Sequence, residues 1–112
     1  MPRTPPSRRL SKEALELIAA RFRVLGEPSR LALILALETG ERHVGQLVQA
    51  TGLTQANVSR HLQTLTDAGL LGRRKAGSFV FYFVADPDIF KLCDAVCGSL
   101  QKRLRAQATA FA

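Results

Sequence analysis

Up to Gly69 the apolar residues of this chain recur every three or four positions. From Leu70 to Val84 the pattern turns to a period of two, and after Asp86-Pro87 the helical spacing returns. This switch constrains the fold more than any other feature, because side chains share a face every 3.6 residues in a helix and every second residue in a strand. LLGRRKAGSFVFYFV reads as two strands, about 70–75 and 79–84, joined by a turn at Ala76-Gly77-Ser78. The periodic remainder is helical.

Five helices are expected around that hairpin. Ser11 caps the first, with Glu13 and Glu16 near its positive end and Leu15, Ile18, Ala19, Phe22 and Leu25 in one stripe. Gly26 stops it, and Glu27-Pro28 opens a second helix carrying Leu31, Ile34, Leu35 and Leu37, which Thr39-Gly40 ends. A short third helix covers about 44–50, with Val44, Leu47 and Val48 inward. It meets a fourth through TGLT at 51–54, where Gly52 can turn left-handed. Thr54 caps that fourth helix, whose stripe is Val58, Leu62 and Leu65 and which Gly69 closes. The last helix, about 87–106, carries Ile89, Leu92, Cys93, Val96, Leu100 and Leu104. Residues 1–10, with three prolines and three arginines, read as a disordered basic arm, and 11–108 as one domain.

At 112 residues the chain buries a limited core, so a dimer that shares apolar surface is expected. The longest apolar run, Leu31 to Leu37, is too short to span a bilayer, and the N-terminus has no apolar core after its basic residues. No membrane partner is expected. A cytoplasmic location follows, with the two cysteines mostly reduced. Sixteen Lys and Arg against nine Asp and Glu leave a charge of +7. That excess suggests a polyanionic partner, nucleic acid before a membrane surface.

A short helix meeting a longer one through a glycine corner, followed by a two-stranded hairpin, spells a mainly α winged helix-turn-helix. The fourth helix presents Ala56, Ser59, Arg60 and Gln63 opposite its apolar stripe, with Gln55 and Asn57 at its first turn. Gln and Asn can read adenine and Arg can read guanine from a helix start set in a major groove. A merely solvated helix would favour Glu and Lys, whereas this one has a single acid, Asp67, near its far end. On the hairpin, Arg73, Arg74 and Lys75 alternate between faces and suit phosphate contacts, which position rather than specify.

RFRVLGEPSRLALILAL, then HVGQLVQATGLTQANVSRHLQTLTDAGLL and the GSFVFYFV hairpin, resemble the ArsR/SmtB family of bacterial repressors over about residues 14–100. The resemblance implies a homodimer built from the first and last helices. It also implies that the dimer binds a palindromic double-stranded operator and leaves it when a metal ion or thiophilic inducer arrives. On that pattern Thr54, Gln55, Asn57, Ser59, Arg60 and His61 fall in the recognition helix. At the wing tip members often carry Arg after the glycine. This chain has Ser78, which shifts weight to Arg73, Arg74 and Lys75.

The family's sensor sites are mostly missing. Its third-helix thiolate pattern, like ELCVCDL, is here Glu41-Arg42-His43-Val44-Gly45-Gln46-Leu47, and the last helix lacks the histidine of the family's zinc site. His43 reads as a capping or surface residue. Cys93 and Cys97 remain, one helical turn apart with Cβ atoms about 5–6 Å from each other. That spacing is wider than the roughly 3.5–4.5 Å of a disulfide, yet a soft ion such as arsenite or a short polysulfide chain could bridge it. Family members with cysteines on this helix respond to arsenite or to oxidised sulfur, so As(III) is a candidate inducer. No obligatory cofactor is expected. Other readings are a repressor whose cysteines only pack, a thiol oxidoreductase, and a winged module for RNA or protein. The Cys-x3-Cys spacing and the absence of a glycine-rich phosphate loop speak against an enzyme.

Overall fold

In the computed structural model, which describes residues 9–110, the first four helices each start where a side chain meets their free N–H groups. The chain order is α1 (Lys12–Leu25), α2 (Pro28–Ala36), β1 (Arg42–His43), α3 (Val44–Thr51), α4 (Gln55–Asp67), β2 (Leu71–Ala76), β3 (Phe79–Val84) and α5 (Asp88–Ala110). Ser11 Oγ accepts from Ala14 N at 3.1 Å, and Thr54 Oγ1 from Asn57 N at 3.2 Å. The Glu27 carboxylate accepts from Ser29 N and Arg30 N, with Pro28 in the first turn. His43 closes a reciprocal capping box with Gln46 at the head of α3, as its lone position predicted. The arm expected over 1–10 lies almost wholly outside the described residues.

α2, α3 and α4 enclose the core. Leu33, Ile34, Leu47, Val58, Leu62, Leu65 and Leu70 are completely buried, and Leu25, Leu37, Leu71 and Ile89 close the cluster. Each such side chain contributes about 1.5–3 kcal/mol of apolar transfer energy. Between α3 and α4, Gly52 sits at φ 73°, the left-handed corner expected of the helix-turn-helix.

The hairpin gains a third strand. The sheet is antiparallel in the order β1-β3-β2, with Arg42 opposite Tyr82 and His43 opposite Phe81. Sequence periodicity gave two strands only, since two residues are too few to show a period. Arg73 pairs with Tyr82, Arg74 with Phe81 and Lys75 with Val80. Paired residues share a face, so Arg73 and Lys75 lie on one side of the wing and Arg74 on the other. The helix α5 runs four residues beyond its expected end at 106. No helix among the described residues is long and apolar enough to cross a membrane.

Candidate nucleic-acid interface and thiol groove

The helix α4 separates its residues by face. Thr54 at its cap and Gln55, Ala56, Ser59, Arg60 and Gln63 along it are exposed, and Asn57 is half-buried. An Arg60 guanidinium N–H donates to Asn57 Oδ1 at 2.8 Å, which holds the fork toward the N-terminal end of the helix. The one acid, Asp67, is at the far end and accepts from Gln63 Nε2 at 2.8 Å. The first three turns therefore present donors and acceptors with no negative charge.

His61 departs from expectation. It is only 6% exposed and faces the core side of α4, so it is withdrawn from the residues able to meet bases. Its spacing explains why, because positions 58, 61, 62 and 65 form one stripe. Arg30 Nη1 lies 3.5 Å from His61 Nδ1, and Glu27 Oε2 lies 4.0 Å from Nε2. Arg30 also donates to the Val24 carbonyl at 2.6 Å and the Arg23 carbonyl at 3.3 Å, tying α2 to the end of α1. Burial pushes the Glu27 carboxyl up. The N–H groups of Arg30 and Ser29 and the nearby His61 and Arg30 charges outweigh it, so its pKa lies below the ordinary value. Nothing in the spacing marked Arg30 as a partner of His61; the available signal was an arginine set among the apolar residues of α2.

On the wing, Arg73, Arg74 and Lys75 are all exposed, but they are not equivalent. The Arg74 guanidinium forks onto the Glu41 carboxylate, with Nε 2.9 Å from each oxygen, and lies 5.0 Å from the Phe81 ring centroid. That hydrogen bonding, against a smaller desolvation effect, holds the Glu41 carboxyl below its ordinary pKa. Arg74 is thus committed to anchoring the wing, which leaves Arg73 and Lys75 as the available cations. Gly77, at φ 62°, makes the turn between the strands.

Cys93 and Cys97 are free thiols on α5, the first half-buried and the second exposed. Both line a groove of about 580 Å3 whose apolar walls come from α1, α2 and α5, including Phe22, Leu35, Val96 and Leu100. Burial first, then the negative charges of Asp94 and Glu38, push the Cys93 thiol above its ordinary pKa. Among the described residues no cluster of three or more His, Cys, Asp or Glu is placed to hold a metal ion. Among the described residues, one chain therefore offers two sulfurs and no third ligand beside them.

Residues 27–72 match the family model described as bacterial regulatory protein, arsR family. Among curated relatives, the probable mercury resistance operon repressor of Streptomyces lividans is 38% identical over 63% of this chain and 57% of its own length. The HTH-type transcriptional regulator NmtR of Mycobacterium tuberculosis is 33% identical over 82% of this chain and 77% of its own. The solution structure of a homodimeric winged helix-turn-helix DNA-binding domain from Mycobacterium bovis superposes with a TM-score of 0.74 at 26% identity, covering 95% of each chain. With this fold and these relatives, the chain belongs to the arsR family of bacterial regulatory proteins, as a regulator rather than an enzyme.

Proposed function

We propose that the chain is a homodimeric repressor that binds a palindromic operator and releases it when Cys93 and Cys97 take up a thiophilic inducer, with arsenite as the inducer of choice. The start of α4 enters the major groove, where Thr54, Gln55, Asn57, Ser59 and Arg60 face base edges while Arg73 and Lys75 meet phosphates. The homodimeric Mycobacterium bovis domain, of the same fold, supports the dimer. So do α1 and α5, whose apolar stripes stay open in the single chain.

The observation that carries the inducer reading is that both thiols line one apolar groove between α1, α2 and α5. Arsenite at neutral pH is the uncharged trihydroxide. Each arsenic–sulfur bond forms as an arsenic–oxygen bond breaks, and the thiol proton leaves with hydroxide as water. Nothing is oxidised, and no free thiolate needs to be stabilised beside Asp94 and Glu38. Anionic polysulfide meets the opposite conditions, a protonated Cys93 and two nearby carboxylates. A second copy along α5 can supply a third sulfur.

Fluorescence anisotropy on upstream promoter DNA tests this reading. Arsenite should release the reduced parent and leave a Cys93→Ser/Cys97→Ser variant bound. Equal behaviour of the two proteins would assign the cysteines to packing alone, and release by polysulfide but not arsenite would exchange the inducer.

A further inference from the structure

The proposed inducer groove and the proposed DNA face lie on different helices, so coupling requires a contact that belongs to both. One such contact is on α1. Arg21 Nη2 donates to the Ala68 carbonyl at 3.2 Å, at the C-cap of α4, and its Nη1 lies 3.5 Å from Asp86 Oδ2. The other Asp86 oxygen accepts from Asp88 N at 3.2 Å, at the first residue of α5. One carboxylate thus holds the start of α5 and the guanidinium that grips the end of α4. A parallel backbone link runs alongside. Ala85 N donates to the Leu70 carbonyl at 2.9 Å, and Leu70 N donates to the Leu65 carbonyl at 3.0 Å.

We propose that Arg21 is the positioning residue that couples α5 to the recognition helix. Displacement of α5 moves Asp86, and the guanidinium carries that movement to the C-terminal end of α4. The inference rests on the repressor reading above and names the residue that transmits its regulation. Arginine suits the task because its planar fork places two N–H donors on two acceptors at once, which an ammonium on a flexible stem does not reproduce. The side chains of Arg21 and Asp86 are each 42% exposed, so their ion pair adds little to stability. Such a contact can break and re-form without unfolding the domain, as a two-state coupling element requires.

The test is a double-mutant cycle in operator affinity with Arg21→Met, Asp86→Asn and both together, each checked for dimer mass and melting temperature. Arg21→Met keeps an apolar stem and deletes the fork; Arg21→Lys keeps the charge. The expected result is that each single change weakens operator binding about 5-fold or more at unchanged mass and melting temperature, and the double variant is no worse than either. Arg21→Lys should not rescue binding. Additive losses, or no loss, would overturn the proposal. Arsenite then separates it from the repressor reading. A parent that ignores arsenite counts against the inducer alone, since the cycle still decides the role of Arg21. If the parent responds, Arg21→Met should bind arsenite normally and lose most of the arsenite-driven change in operator affinity. A full response in that variant would contradict the coupling.

Discussion

The helices α4 and α5 are both amphipathic, yet they use their apolar sides in opposite ways. On α4, Val58, Leu62 and Leu65 are completely buried within this chain. On α5, Val96, Leu100 and Leu104 are 50%, 53% and 62% exposed, Phe22 on α1 lines the same groove, and Leu15 on α1 is also exposed. A helix whose stripe is sealed by its own domain has its polar face free for a ligand. A helix whose stripe is left open makes that stripe its functional surface. The contrast supports the proposed division, DNA reading on α4 and assembly on α5, by the same physical rule, that large contiguous apolar patches are covered.

The comparison can be broken in several places. The largest effect is expected at its sealed end, where Leu62→Ala should cost about 2–5 kcal/mol in chemical denaturation. At the open end, Leu100→Asp should leave the domain folded, because the side chain is half exposed already. It should sediment as a 12.2 kDa monomer. Its operator affinity should fall about 100-fold or more as the second half-site is lost. A dimer that survives this change would remove α5 from the interface.

Smaller effects sharpen the DNA side. Arg60→Ala should weaken operator binding by about 1–3 kcal/mol and relax preference at one position per half-site. Unaltered base preference would take Arg60 out of direct readout. Replacing Arg73 or Lys75 with Gln should reduce the salt slope by about one each without altering the preferred sequence. Arg74→Gln should change the slope less, because that guanidinium is already held by Glu41.

The smallest effect is pH-dependent. The Glu41 pKa is lower in the folded protein than in the unfolded chain, so its contribution to stability is complete above the unfolded value and lost as pH falls through the folded one. Melting curves of the parent and Glu41→Gln should differ near neutrality and converge in acid, below the ordinary carboxylate range. A gap that persists there would mean that the pair does not anchor the wing.

Local pattern made most of the fold legible. Ser11, Glu27-Pro28, Gly52 and Thr54 mark helix ends through chemistry confined to three or four residues, and the structure uses each of them so. The hairpin followed from the change of period. What escaped depends on partners distant in sequence. The strand β1 exists because Arg42 and His43 pair with β3, and Arg74 is claimed by Glu41, 33 residues away. Arg21 reaches Ala68 and Asp86 across 47 and 65 positions. His61 is different, since its place on the 58–62–65 stripe was readable. Its inclusion in the recognition set rests on the family resemblance, which does not say which way a side chain faces.

The most direct measurement is amide hydrogen exchange of the dimer with and without operator DNA. Slower exchange at the turn and start of α4, about 52–61, and along the wing, about 72–78, is the predicted result. The α5 segment 92–104 should keep the protection it has in the free dimer. Operator-induced protection of α5 with α4 and the wing unchanged would contradict the division of labour between the two helices.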